Sequence, residues 1–77
     1  MTALLYEPKS AQVRVGDQGH PVAVGSAAVE SVREEWLVED RWWTPEPIRR
    51  HYFELALSDG RCEVVFREGS AWFSQRA

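Results

Sequence analysis

Between Tyr52 and Arg67 the chain reads Tyr52-Phe53-Glu54-Leu55-Ala56-Leu57-Ser58-Asp59-Gly60-Arg61-Cys62-Glu63-Val64-Val65-Phe66-Arg67, with an Asp-Gly pair midway between two runs of β-favouring residues. Asp-Gly favours a two-residue turn with positive φ, because glycine adopts that conformation at no steric cost and aspartate tolerates it. With Asp59 and Gly60 as the loop, Ser58 faces Arg61 and three apolar pairs follow outward: Leu57 with Cys62, Leu55 with Val64, and Phe53 with Phe66. The opposite face pairs Ala56 with Glu63, Glu54 with Val65 and Tyr52 with Arg67, a mixed surface suited to water or a partner. The expectation is a tight hairpin whose inner side is apolar, with Cys62 packed inside as a small hydrophobe.

The same reading extends in both directions. Downstream, Glu68-Gly69-Ser70 is a turn signal, and Ala71 to Gln75 returns as a final strand carrying Trp72 and Phe73. A two-residue loop aligns Phe73 with Phe66 and a three-residue loop aligns Trp72, so which ring faces the core stays open. Upstream, Thr44-Pro45-Glu46-Pro47 is a loop, since two prolines so close suit neither a helix interior nor a central strand. The segment Ala27 to Trp43 fits two readings. Val29, Val32, Trp36 and Leu37 have helical spacing and Ser26 suits a helix N-cap, whereas Val32, Trp36 and Val38 share the even-numbered face of a strand. A long bent strand is preferred, because its neighbours are strand-like and its second half is rich in residues that fit a pleated surface. Pro21 to Val24 closed by Gly25-Ser26, and Ala11 to Val15 closed by Gly16-Asp17-Gln18-Gly19, add two short strands. Met1 to Ser10 reads as an N-terminal arm. The resulting class is all-β: one small domain over residues 11–77, a strongly curled antiparallel meander or SH3-like barrel of about five or six strands.

Composition limits what such a domain does. A chain of 77 residues, 44% apolar and 27% charged, has room for a single core. The net charge of −3 argues against coating DNA by bulk electrostatics. A single cysteine forms no internal disulfide and points to a reducing, cytoplasmic setting, and neither a signal peptide nor a membrane span is expected.

Chemistry-bearing patterns are sparse. His20 and His51 are far apart in sequence and lack metal-ligand spacing, so each reads as an ordinary histidine. Glu30, Glu34, Glu35, Glu39 and Asp40, interspersed with Arg33 and Arg41, read as a solvated edge rather than paired catalytic carboxylates. Gly16, Gly19 and Gly25 match no phosphate-binding fingerprint. The reading is therefore of a protein that is not an enzyme and uses no metal, cofactor or small-molecule substrate. One run remains, Arg41 to Tyr52, where cations and rings flank a proline-stiffened loop. Arg41, Trp42, Trp43, Arg49, Arg50 and Tyr52 are its candidate partner-binding residues. For such a set, structure alone beside an edge strand is weighed first, a protein hot spot second and a weak single-strand nucleic-acid platform last.

The order Trp36, Asp40-Arg41-Trp42-Trp43, Arg49-Arg50-His51-Tyr52-Phe53, Asp59-Gly60-Arg61 and Trp72 resembles a family of small uncharacterised bacterial domains. These occur beside, or as the C-terminal tail of, ImuB-type homologues of Y-family DNA polymerases, and the similarity spans roughly residues 20–77. The resemblance implies an accessory part in damage-induced translesion synthesis, with an ImuB-like or polymerase protein as partner. It carries over no catalytic residue. The acidic stretch from Glu30 to Asp40 departs from the family and weakens the case for direct DNA contact. A protein-binding module is the leading expectation; a single-strand nucleic-acid binder and a homodimer pairing exposed strand edges are its rivals.

Overall fold

The computed structural model describes residues 9–40, 43–45 and 47–75, and among them every regular element is a strand. In chain order these are β1 (Lys9–Ser10), β2 (Val13–Val15), β3 (Pro21–Val24), β4 (Ala27–Asp40), β5 (Ile48–Leu57), β6 (Cys62–Glu68) and β7 (Ala71–Gln75). They form one antiparallel sheet in the order β1-β7-β6-β5-β4-β3-β2. The first and last members of that order are neighbours in sequence. Ala11 N–H donates to Trp72 O (3.0 Å) and Gly25 N–H donates to Gln12 O (2.7 Å), so two adjacent residues tie together both ends of the curled sheet. The fold is thus the expected small, barrel-like all-β meander, with seven strands rather than five or six because the two-residue β1 joins β7.

The segment open to a helical reading is the strand β4, bent at irregularities between Val29 and Ser31 and between Val32 and Glu34. Each extra residue reverses the side-chain alternation. Val32 accordingly opposes Leu55 while Trp36 opposes Tyr52, which corrects the expectation that Val32, Trp36 and Val38 share one face.

The central hairpin forms at Asp59-Gly60, but its register differs by one residue from the expected ladder. Gly60, at φ +90°, ends a three-residue loop: its N–H donates to Leu57 O (3.0 Å), and Leu57 N–H donates to Arg61 O (2.8 Å). The physical reason lies on β4. Ser58 N–H donates to Ala28 O (2.8 Å) and Ala28 N–H donates to Ser58 Oγ (3.1 Å), so Ser58 is held by β4 and does not pair with Arg61. Phe53 then opposes Val65, Tyr52 opposes Phe66 and Ala56 opposes Cys62. A one-residue slip moves every side chain of the partner strand to the other face. Phe53 and Phe66 therefore lie on opposite sides of the sheet, and Cys62 is exposed rather than packed against Leu57.

The inner face holds Phe53, Leu55, Leu57 and Val65, each no more than 1% exposed, joined by Val24 and Ala27 and flanked by Val13, Val29 and Trp72. The slipped register also turns Glu63 inward, where only 11% of its side chain meets solvent. Its carboxylate is satisfied there by Ser74 Oγ, which donates at 2.8 Å, and by Arg61 at 3.6 Å. The second turn settles the other open question. Glu68 pairs with Ala71 across a two-residue loop, aligning Phe73 with Phe66 on the outer face and leaving Trp72 to pack on the core.

Candidate functional site

Consecutive strand residues point to opposite faces, so the run proposed as one contact surface is divided. Arg41 and Trp42 lie outside the described residues. Trp43, in the loop after β4, is 66% exposed. Arg49 opposes Glu39 on the inner side and pairs with it at 2.8 Å. Arg50 and Tyr52 are on the outer side. The Arg50 guanidinium lies over the Phe66 ring, 4.8 Å from its centroid, and binds Glu68 at 3.0 Å. A hydrogen bond with Tyr52, then Glu68, holds Arg50 more firmly in its charged form than usual, against the opposing effect of burial. Arg50 thus acts first as the cover of a ring.

The outer face carries a feature that the shifted register creates. Trp36, Tyr52, Phe66 and Phe73 occupy one row across β4, β5, β6 and β7. Successive ring centroids are 5.3, 4.9 and 5.2 Å apart. These are stacking distances, and such pairs add to simple burial. Phe66 is 1% exposed although it belongs to the outer face, because Tyr52, Phe73 and Arg50 lie over and around it. Trp36 ends the row at β4. The sequence placed it on one face of β4 and in a motif order but not among the contact residues; the signal that finds it as a surface residue is the pairing of Trp36 with Tyr52, which depends on the β4 bulges.

Beyond Trp36 the strand runs into solvent. β3 pairs with β4 only through Ala23–Ala28 and Val24–Ala27, so from Val29 onward β4 is laddered on its β5 side alone among the described residues. Ser31 to Glu39 is exposed throughout, and its four large apolar side chains Val32, Trp36, Leu37 and Val38 are 37%, 38%, 56% and 38% exposed. Of the acids read as a solvated edge, Glu30, Glu34, Glu35 and Glu39 are exposed.

On the inner face the structure joins two histidines that are distant in sequence. Glu35 accepts a hydrogen bond from His51 Nε2 through Oε2 (2.7 Å), and its Oε1 is 3.4 Å from His20 Nε2. Both imidazoles pack on Phe53, with centroid separations of 4.4 and 5.9 Å. The arrangement fastens the loop before β3 to the middle of β4 and β5. Among the described residues no set of three His, Cys, Asp or Glu side chains has the grouping to hold a metal ion. Next to it, an open depression of about 460 Å³ is bounded by Leu37, Pro47, Arg49, His51, Arg67 and Gly69.

No protein-family model, curated protein or solved structure matches the chain. Among the described residues no helix is long and apolar enough to cross a membrane.

Proposed function

We propose that this chain is a non-catalytic protein-binding module whose contact surface is the free side of β4 together with the loop that follows it. One observation carries this reading: Trp36, Leu37, Val38 and Trp43, four of the seven large exposed apolar residues among the described residues, cluster along the last part of β4 and its loop. Grouped exposed apolar side chains mark contact sites more often than scattered ones, and tryptophan is enriched where binding energy concentrates. The resemblance of the motif order to ImuB-associated domains supports a place in translesion synthesis inside a bacterial cell, and makes an ImuB-like protein the first partner to try.

The partly exposed rings of the row, Trp36, Tyr52 and Phe73, also suit the stacking of single-stranded bases. Against that use stand the net charge of −3, Glu34 and Glu54 beside the row, and the engagement of Arg50 with Glu68. The test is binding to an immobilised ImuB-like protein and, separately, to single-stranded DNA, with Leu37→Asp and Trp43→Ala variants. Affinity for the protein is expected to fall at least tenfold in both variants while both still unfold cooperatively, and to vary little with salt. DNA binding that falls steeply with salt, with no protein binding, replaces this reading by the nucleic-acid one.

A further inference from the structure

The open side of β4 has a charge pattern that specifies what can pair with it. Past the second bulge, Glu34 to Glu39 ladders regularly with β5. Glu35, Leu37 and Glu39 face the inner side and Glu34, Trp36 and Val38 the outer side, so three apolar side chains stand between acids. Glu35 already touches His51 and His20, and Glu39 touches Arg49, yet their side chains remain 40% and 45% exposed. The backbone groups directed away from β5 form an edge that an extended chain can continue.

A second copy fits this edge poorly. Antiparallel pairing that keeps the two sheets continuous must match inner with inner and outer with outer positions. Centred on Leu37, it sets Glu35 against Glu39 twice. Centred on Trp36, it sets Glu35 against Leu37 and Glu34 against Val38, and centred on Val38 it sets Glu39 against Leu37. Every such register opposes like charges or places a carboxylate on an apolar side chain, both unfavourable.

Building on the protein-binding reading, we infer that the β4 edge takes an added antiparallel strand from a different protein, a segment reading basic, three β-branched or aromatic apolar residues, basic, basic. Its basic residues face Glu39, Glu35 and Glu34, and its apolar centre covers Val38, Leu37 and Trp36. An aromatic residue set against Trp36 extends the outer row of rings by one place. The acids that keep copies of the chain apart thereby select the partner.

The experiment uses the full chain and a labelled synthetic peptide, Ser-Arg-Val-Ile-Val-Arg-Lys-Ser, with two control peptides: one carries glutamate at each basic position and the other proline at its centre. Fluorescence anisotropy measures affinity and amide hydrogen exchange locates the contact. The basic peptide is expected to bind and to slow exchange in Glu34–Glu39, with each control at least tenfold weaker. The Glu34→Lys/Glu39→Lys variant is expected to reverse the preference between basic and acidic peptides. Equal binding of the proline peptide, slowed exchange elsewhere only, or sedimentation as a dimer through β4 overturns the inference. An ImuB-like protein that binds in a Leu37-dependent way without slowing exchange in β4 also overturns it while leaving the proposed function standing. If neither peptide nor protein binds, both fall.

Discussion

Asp59 holds its turn through two bonds to the same neighbour: Arg61 N–H donates to Oδ1 at 3.1 Å and Arg61 Nε to Oδ2 at 2.8 Å. Those bonds, the backbone one first, hold the Asp59 carboxyl below the usual aspartate range. A lowered folded-state pKa contributes stability that is present above the unfolded value, near ~3.9, and is lost as pH falls through the lower folded value. The wild type is therefore expected to be more stable than Asp59→Asn at neutral pH, with the two urea-denaturation midpoints converging as the solution is acidified below about pH 4. A gap that stays constant with pH contradicts this assignment. At the same scale, Gly60 needs its φ of +90°, which most L residues adopt only with strain. The Asp-Gly pair was legible as a turn. Its loop length was not, because the same pair also ends a three-residue loop, the next commonest kind, and the bond between Ser58 and Ala28 that settles the matter joins residues 30 positions apart.

At the scale of the element, β4 shows how a strand can be foreseen while its faces are not. Its β-favouring composition and its neighbours pointed to an extended segment, and the strand runs from Ala27 to Asp40. The two bulges carry no glycine or proline to announce them, yet they determine that Trp36 joins the outer row and Val32 the inner face. One local conflict remains on β4. Glu34 and Glu54 stand directly opposite each other, and like charges in that position destabilise a sheet. Glu34→Lys is expected to raise stability by about 0.2–1 kcal/mol in chemical denaturation, by replacing repulsion with attraction. A natural sequence keeping such a pair fits an edge whose acids serve binding. No gain in the variant would show that the two carboxylates avoid each other by turning into solvent. The candidate site was legible in part: the sequence pointed to the rings and arginines around the proline loop, but strand alternation sends Arg49 and Arg50 to opposite faces.

For the whole molecule, closure rests on the junction between β1 and β2. Ala11 N–H reaches Trp72 O, and the next residue accepts from Gly25. Removing that donor should loosen the seam that Trp72 O closes. Ala11→Pro is expected to cost about 1–3 kcal/mol, the usual loss when a partly buried backbone acceptor is left unpaired. Urea denaturation followed by tryptophan fluorescence measures it, and a variant as stable as the parent would mean that the seam contributes nothing to closure.

From its own residues the chain determined its strand content, its turns, its single small core and the absence of bulk positive charge, since each follows from local composition and alternation. Tertiary structure alone decided the hairpin register, the reversed faces of β4, the row of rings, the exposure of Cys62 and the meeting of His20 with His51 at Glu35. Each of those depends on a contact between segments distant in sequence, and a shift of one residue there changes which face of the sheet a side chain occupies.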